Sequence, residues 1–235
     1  MRLFHYESID STSTEALRLV QKGEATPFAV LADSQSAGRG QRDRTWFSPS
    51  GNIYLSIACR FPKEQVSFLP LLVALRLAQW LTPKLSVNIH IKWPNDLLLN
   101  RKKVACVLCE SYWDETQDQA LVVVGIGINI EHAPSLANAA YESACLRPFL
   151  LQRWTARELA DDFLSFWESC ELLNLEETLQ EYQKIHLPRG SLWISRGDGS
   201  ERYFHEGFSP EGYLILRNAA TGERKILVSA QDPVI

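Results

Sequence analysis

The stretch that organises this chain is Gln35-Ser-Ala-Gly-Arg-Gly-Gln-Arg-Asp-Arg-Thr-Trp-Phe-Ser-Pro-Ser-Gly-Asn-Ile-Tyr-Leu-Ser56. An apolar run, Phe28 to Asp33, precedes it and another, Ile53 to Arg60, follows, so we predict a loop between two strands. Gly38 and Gly40 let the loop backbone approach a ligand closely. Three arginines in the same segment supply planar cationic groups that suit a phosphate-bearing anion: Arg39, Arg42 and Arg44.

A solvated basic hairpin tip is the simpler interpretation of an arginine cluster. The Trp46-Phe-Ser-Pro49 segment exceeds what a solubilising turn needs, and it favours a binding loop. The loop is not of the Walker type, because the required Gly-Lys followed by Ser or Thr is missing. It is not a Rossmann turn either, because Asp43 occupies the third glycine position. A bound phosphate would therefore be held by arginine side chains and loop amides.

Composition narrows the class of protein. The 235 residues, 46% hydrophobic and 22% charged, fit one large domain with a small appendage. The net charge of -4 argues against a dedicated DNA-binding protein, and we find no apolar run of membrane-spanning length. The five cysteines show no disulfide or zinc spacing, and the N-terminus does not resemble a signal peptide. We therefore predict a cytoplasmic protein that binds neither DNA nor membranes.

The N-terminal segment predicts a strand followed by a helix. Arg2 to Tyr6 has strand character, and Thr12 with Glu15 forms a capping box that begins a helix ending at Gly23. Hydroxyl and amide groups at such a helix start suit a neutral oxygen or an anion, although capping alone would explain them. The helix is expected to turn three apolar side chains inward: Ala16, Leu17 and Val20.

The middle of the chain predicts a buried helix and a hairpin. Leu69 to Leu81 has helical apolar periodicity, and Val87 to Glu110 holds two strand-like runs joined at Asn100 to Lys102. Asp96 opens the first of these runs beyond a proline, and Lys103 opens the return strand. On its own, Lys103 would be a solvated surface lysine. If it lies beside the loop that carries Arg39, Arg42 and Arg44 (the arginine loop), it can bind a phosphate oxygen.

The next strand-like run, Ala120 to Ile130, carries two glycines where side chains are expected. Glycine inside a strand marks either close approach of a ligand or a β-bulge, and both interpretations stay open. If a ligand approaches the strand closely, Gly125, Gly127 and Asn129 form the floor beneath a planar group of that ligand.

The C-terminal part predicts helices and then short strands. Glu131 to Gln152 lacks periodicity, and Thr155 with Glu158 then caps a helix. A second helix spans about Glu176 to Lys184. The first of these helices is expected to face the core with Leu159, Phe163, Phe166, Trp167 and Leu172. Four short runs follow as an all-β appendage: Ser191 to Arg196, Arg202 to Phe208, Tyr213 to Arg217 and Arg224 to Ser229.

Taken together, the motifs resemble those of the biotin protein ligases in order and spacing. They are Asp10-Ser-Thr12, Gln35 to Trp46, Lys92-Trp-Pro-Asn-Asp96, Lys103 to Glu110 and Gly125-Ile-Gly-Ile-Asn129. The resemblance implies a class II synthetase-like α/β catalytic domain with a mixed, largely antiparallel sheet and flanking helices at residues 1–186. It also implies a small SH3-like β domain at residues 187–235.

The resemblance further implies an ATP-dependent ligase of the monofunctional type, without an N-terminal DNA-binding domain. Such an enzyme joins biotin to ATP, which enters with Mg²⁺, giving biotinyl-5′-AMP and pyrophosphate. It then moves biotin to a lysine of the biotin carboxyl carrier protein of acetyl-CoA carboxylase, and it is expected to be a monomer or a weak homodimer. A lipoate or octanoate ligase or transferase of the same fold, and a non-catalytic biotin sensor, are the alternatives.

The resemblance also implies roles for individual residues, with no metal ligand assigned. Lys103, Arg39 and Asp96 would be catalytic. The biotin pocket would be lined by Ser11, Thr12, Gln35, Gly38, Arg39, Lys103 and Gly125. The nucleotide would be bound by Arg42, Arg44, Trp46, Asn95 and Asn129.

Three positions depart from the family pattern. Gln41 and Asp43 stand where family members commonly have arginine and glycine, so we expect looser retention of the adenylate. Cys106 stands where a glycine is usual, which changes the fit of the biotin tail at that position.

Overall fold

A computed structural model of the chain describes residues 1–41, 44–113, 118–134, 142–171, 173–187, 192–194 and 201–228. Within these residues, seven strands form the main sheet: β1 (Arg2–Tyr6), β2 (Phe28–Ala32), β3 (Ile53–Pro62), β4 (Ile89–Lys92), β5 (Asp96–Leu99), β6 (Lys102–Tyr112) and β7 (Gln119–Ile128). Their order is β1-β2-β3-β7-β6-β5-β4, with β1 parallel to β2 and every other pair antiparallel. The predicted mixed, largely antiparallel sheet is confirmed.

Helices cover both faces of this sheet. They are α1 (Thr12–Gln21), α2 (Lys63–Val66), α3 (Leu69–Leu81), α4 (Ala156–Ser169) and α5 (Leu175–Ile185), with 3-10 turns at Thr82–Lys84 and Arg147–Phe149. Helix α3 has the predicted bounds, and ten of its thirteen residues are buried because it is apolar on nearly every side. It packs in one core with α4 and α5.

Alternate residues of the central strands point to opposite faces of the sheet. In β2, Ala29 and Leu31 belong to the large core with α3, whereas Phe28 and Val30 belong to a small cluster with Ala16 of α1. This is the period of two expected of a sheet that is covered on both faces. Because α1 covers only part of its face, the rest of that face is available for a binding cleft.

The start of α1 differs from the prediction. Ser11, not Thr12, is the N-cap, and its hydroxyl accepts a bond from the Thr14 amide at 3.5 Å. Thr12 is already helical, which frees its side chain for other contacts. Ala16 and Val20 face the small cluster as predicted, and Leu19 joins them, whereas Leu17 is half-buried and belongs to neither core cluster.

Helix α4 begins as predicted, with a reciprocal capping box between Thr155 and Glu158. The predicted second helix is also confirmed, as α5. Among the predicted core positions of this segment, Leu172 lies outside the described residues.

A second sheet has the order β11-β10-β9-β8 and is antiparallel throughout. Its strands are β8 (Leu192–Ile194), β9 (Arg202–Phe208), β10 (Leu214–Asn218) and β11 (Arg224–Leu227). The small β structure predicted for the C-terminal part is confirmed, and Leu214 and Leu216 join the large core. The indole of Trp93 donates to the Gly212 carbonyl at 3.0 Å, so the second sheet is bonded directly to the segment between β4 and β5. The boundary at residues 186 and 187 stays a prediction.

The predicted hairpin of β5 and β6 carries a feature that positions the site. Its turn is made by Asn100 and Arg101, both with positive φ. The register shifts beyond the turn, because Leu98 pairs with Lys103 whereas Leu97 pairs with Ala105. One extra residue of β6 is thus accommodated in a β-bulge. In the described part of the chain, no helix is long and apolar enough to cross a membrane.

Candidate active site

A cleft lies over the central strands on the face that α1 leaves uncovered. Two rows of directly paired residues cross its floor, since residues paired across strands point to one face. One row runs from Tyr54 of β3 through Gly127 and Cys106 to Asp96. The other row consists of Ser56, Gly125 and Leu108. With the N-terminal end of α1 and the loop that carries Arg39, these rows line an open cleft.

The two glycines of β7 are required by what lies above them. A Cβ on Gly125 would lie 2.9 Å from the Ser13 hydroxyl. A Cβ on Gly127 would lie 2.7 Å from the indole of Trp46. Regular β pairing continues through both positions, so of the two interpretations the close approach applies here, and the approaching groups belong to the chain itself.

A continuous chain of neutral hydrogen bonds forms one side of the cleft. Ser13 and Ser56 hydroxyls are 3.0 Å apart, and Ser56 donates to the Thr12 hydroxyl at 2.8 Å. The backbone amide and the hydroxyl of Thr12 donate to the side-chain oxygen Oε1 of Gln35 at 2.8 and 3.2 Å. Gln35 in turn donates to Ser48 at 2.9 Å. These groups are buried or partly buried, so the chain holds donors and acceptors in fixed positions.

The described part of the arginine loop forms a small hairpin. Trp46 donates its amide to the Gly38 carbonyl at 2.8 Å, and Gly40 donates to the Arg44 carbonyl at 2.7 Å. A side chain on Gly38 would meet the Ser48 hydroxyl and the Trp46 carbonyl at 2.5 Å. The absence of a Cβ at Gly38 therefore lets the hairpin fold back against the hydrogen-bonded chain.

Arg39 lies at the rim of the cleft. Its guanidinium contacts the carboxylate of Glu110 at 2.6 Å, across 71 residues of sequence. Glu110 is on the same face of β6 as Cys106 and Leu108, because it lies at even spacing from both. This ion pair ties the arginine loop to the floor of the cleft.

Lys103 and Asp96 form an ion pair beside Cys106. The ammonium nitrogen lies 2.7 Å from the carboxylate, and the two side chains are 22% and 19% exposed. Burial alone would raise the pKa of Asp96, but the charge and hydrogen bond of Lys103, with smaller contributions from Lys92 and Cys106, together hold that pKa below its usual value. Burial would likewise lower the pKa of Lys103, but Asp96 outweighs it and raises that pKa. Both groups are therefore charged near neutral pH.

The predicted nucleotide-binding residues occupy different places. Arg44 is exposed within the loop hairpin, and Arg42 lies outside the described residues. Asn95 is buried and donates to the Val107 carbonyl, so the structure does not bring its side chain to the cleft wall. Asn129 is also buried, and its side chain donates to the Ala144 carbonyl at 3.2 Å. It lies close to the start of β6, where Lys103 is. Trp46 lines the cleft directly.

Of the predicted biotin-binding residues, the structure brings Ser11, Thr12, Gln35, Arg39 and Gly125 to the cleft wall. Gly38 supports that wall through the loop hairpin, and Lys103 lies beside it. Further residues of the site were missed from sequence: Ser13, Tyr54, Ser56, Leu108 and Glu110. For the four residues on β3 and β6, the signal was the alternation of strand faces. Gly125 and Gly127 indicate which face of the sheet carries the site, and the alternation then gives the residues of β3 and β6 on that face.

No group of three His, Cys, Asp or Glu side chains able to hold a metal occurs in the described ranges. Mg²⁺ commonly reaches such sites already bound to substrate phosphates, with one or two protein carboxylates completing its shell. A cation that arrives with ATP is therefore compatible with the donors present, among which the Asp96 carboxylate lies beside Cys106 of the cleft floor.

The arrangement suits a small acid with a neutral head. The hydrogen-bonded chain offers oriented hydroxyl and amide groups, Trp46 and Leu108 offer apolar surface, and Lys103 offers a charge for an anion. In the order of strands, Ser56 is on β3 and Lys103 is on β6, with β7 between them.

Comparison with known proteins assigns the fold and site to a class. The sequence model of the Biotin/lipoate A/B protein ligase family matches residues 6–129, just over half of the chain, and the chain belongs to that family. Over nearly its whole length it is similar to the biotin--[acetyl-CoA-carboxylase] ligase of Paracoccus denitrificans. The two are 33% identical over 240 residues, which cover 94% of this chain and 96% of the relative.

One further relative matches part of the chain, and two solved structures match it over nearly the whole length. The bifunctional ligase/repressor BirA of Bacillus subtilis is 34% identical over 136 residues, or 57% of this chain, and the match spans only 42% of the length of that relative. The biotin protein ligase of Leishmania major, solved with biotinyl-5-AMP, superposes with a TM-score of 0.68 and 25% identity over 97% of this chain and 99% of its own. The apo ligase of Aquifex aeolicus, at 22% identity and a TM-score of 0.74 over 100% and 98% of the two chains, shares the fold.

Proposed function

We propose that this chain activates biotin with ATP to biotinyl-5′-AMP and transfers the biotin to a lysine of a biotin carboxyl carrier protein. One observation carries the proposal. Oriented neutral groups line the cleft, and the Lys103–Asp96 ion pair lies beside it, next to Cys106 of its floor. The near full-length similarity to a biotin--[acetyl-CoA-carboxylase] ligase supports the same assignment.

In the proposed reaction the neutral head of biotin binds the hydrogen-bonded chain. Its ureido group both donates and accepts, which matches the hydroxyls of Ser13 and Ser56 and the amide of Gln35. The apolar ring would lie against Trp46 and Leu108. Binding at this end fixes the direction of the molecule, so its carboxylate points toward β5.

Adenylation then brings two anions together, the biotin carboxylate and the α-phosphate of ATP. Their repulsion opposes the reaction, and charge gathers further as the carboxylate oxygen bonds to phosphorus and pyrophosphate leaves. The ammonium of Lys103, held by Asp96, stabilises that charge, and Arg39 closes the cleft from the loop side. Mg²⁺ bound to the ATP substrate would offset part of the phosphate charge.

The second half of the reaction uses the lysine of the carrier. Its uncharged amine attacks the acyl carbon of the adenylate, an amide bond forms, and AMP leaves with the bonding electron pair. The intermediate is noncovalent, so the chain itself needs no nucleophilic side chain.

The proposal extends to the surroundings of the enzyme. The acceptor is the carrier protein of acetyl-CoA carboxylase, the chain acts as a monomer or weak homodimer, and it binds no DNA. All five cysteines are free thiols, which favours a reducing compartment such as the cytoplasm.

The test uses the full chain with ATP, Mg²⁺, a carrier domain and one of three acids: biotin, lipoate or octanoate. We expect biotin alone to give pyrophosphate and a carrier whose mass increases at its acceptor lysine. A carrier with that lysine changed to arginine is the matched control and should stay unmodified. Transfer of lipoate or octanoate in preference to biotin would assign the alternative ligase function, and binding of biotin without pyrophosphate release would assign a sensor.

A further inference from the structure

Cys106 has an unusual position on the cleft floor. It pairs with Asp96 on one side and with Gly127 on the other, so its side chain points to the face that carries the cleft. In a regular strand, Lys103 and Cys106 would point to opposite faces because they are three residues apart. The β-bulge of β6 removes that difference, and it brings Lys103, Asp96 and Cys106 together on one face.

The Cys106 side chain is the first one met between the glycine floor and the ion pair. The row runs from Gly127, which has no side chain, to Cys106 and then to Asp96. Trp46 lies directly over Gly127. Because the indole covers Gly127, a molecule that approaches Lys103 along this row meets the indole and the Cys106 side chain together. The ammonium of Lys103 is 5.4 Å from the indole ring.

The thiol is held in place as a neutral group. The amide of Asn95 lies 3.5 Å from the sulfur, and the thiol faces the Val107 carbonyl at 3.6 Å. Burial raises the pKa of the Cys106 thiol to about 12, so it stays protonated near neutral pH. A neutral, anchored thiol contributes volume to the passage and no charge.

We propose that Cys106 is a specificity-determining residue, which narrows the passage to Lys103 so that only an acid with an unbranched chain next to its carboxyl group reaches the ion pair. The proposal rests on the proposed function, because it takes Lys103 as the end of the cleft where the carboxylate reacts. It names the substrate class as carboxylic acids with a methylene at the carbon beside the carboxyl group.

The expected change in substrate preference follows from how strongly a binding pocket distinguishes substrates that differ by one small group. A hydrophobic pocket typically distinguishes one methyl or methylene group by about 10- to 200-fold in kcat/KM. Cys106→Gly removes two heavy atoms from the passage, enough for one methyl branch. We therefore expect the preference for biotin over α-methylbiotin to fall by about tenfold or more in Cys106→Gly, and by less in Cys106→Ala.

The experiment measures kcat/KM for pyrophosphate release with biotin and with α-methylbiotin, in the full chain and each variant. Cys109→Ala is the matched control. Cys109 is on the same strand at odd spacing from Cys106, and it packs against the large core on the other face. Thermal unfolding of each variant shows whether it is folded. The equilibrium affinity of both acids without ATP is measured in parallel.

The proposal would be supported if the preference for biotin over α-methylbiotin falls in Cys106→Gly, falls less in Cys106→Ala and stays at the parental value in Cys109→Ala. An unchanged ratio of the two acids in both Cys106 variants would overturn it. If the parent chain adenylates neither acid, the proposed function fails instead. In that case the ratio of the equilibrium affinities for biotin and α-methylbiotin, compared among the same variants, tests the role of Cys106 by itself.

Discussion

The Lys103 ammonium and the Asp96 carboxylate lie 2.7 Å apart because a β-bulge in β6 turns Lys103 onto the face of Asp96. The pair leaves the lysine charged in a partly buried position next to the cleft. A preorganised charge of this kind acts mainly where negative charge develops during a reaction, so the pair is the centre of the proposed chemistry.

Lys103→Ala should therefore reduce adenylate formation far more than it weakens biotin binding. Loss of one preorganised charge-stabilising group costs about 10²-fold or more in rate, or about 3 kcal/mol of transition-state stabilisation. Biotin affinity should change much less, since the neutral head binds over β3. Single-turnover adenylation beside equilibrium binding measures both quantities.

Lys102→Ala is the control for this variant, because Lys102 is exposed and its ammonium pairs with Glu142 away from the cleft. It should retain the parental rate. Adenylation at the parental rate in Lys103→Ala would return Lys103 to the role of a structural partner of Asp96.

Gly127→Ala should weaken biotin binding through Trp46. The added Cβ would lie 2.7 Å from the indole, so the indole must shift. The effect should be much smaller in a Trp46→Ala background, where the clash is absent. Isothermal titration of biotin into the two single variants and the double variant measures the interaction between the positions. Additive losses would show that Gly127 acts independently of Trp46.

The arginine loop should be protected from proteolysis when biotin binds. Gln35 and Trp46 line the cleft at the two ends of the loop, so a ligand that contacts both restrains the segment between them. Arg44 is exposed and offers a trypsin site. We expect slower cleavage in this segment with biotin, followed by mass spectrometry, and unchanged cleavage elsewhere in the chain. Equal rates with and without biotin would argue against a role of the loop in binding.

The junction between α5 and the second sheet should make stability depend on pH. His186 is buried, and its ring stacks on Tyr182 and lies 4.7 Å from the ring of His205. Burial, with smaller contributions from His205 and His90, lowers the pKa of His186 to about 3. Below its ordinary pKa of 6.5 the unfolded chain binds a proton at this residue and the folded chain does not, so stability falls as the pH falls from 6.5 toward 3.

His186→Gln should flatten this dependence, even if the variant is less stable at neutral pH. Urea unfolding at several pH values between about 4 and 7 gives the slope of the unfolding free energy against pH. His132→Gln is the control, because His132 is exposed. An equally steep slope in His186→Gln and in the parent would show that other groups cause the acid sensitivity.

Local sequence signals predicted much of the fold. The bounds of α3, the capping box of α4 and the turn of the β5–β6 hairpin depend on residues close in sequence, and all three were predicted. Ser11 replaced Thr12 as the N-cap because both hydroxyls stand at the helix start, and spacing alone does not choose between them.

The internal geometry of the site depends on long-range pairing and could not be predicted in the same way. A period of two gives the faces of a strand, but the strand register decides that Cys106 lies opposite Gly127. The contact of Arg39 with Glu110 joins residues 71 positions apart. The bulge that brings Lys103 beside Cys106 has no glycine to mark it in the sequence.

Single-turnover adenylation with α-³²P-labelled ATP tests the central claim most directly. The full chain, in excess over the nucleotide, is mixed with Mg²⁺ and with biotin, lipoate or octanoate, and the labelled products are separated. The account predicts a labelled acyl-adenylate with biotin, far less with the other two acids, and release of labelled AMP when a carrier domain is added. A labelled adenylate formed faster with lipoate or octanoate, or none formed with biotin, would contradict it.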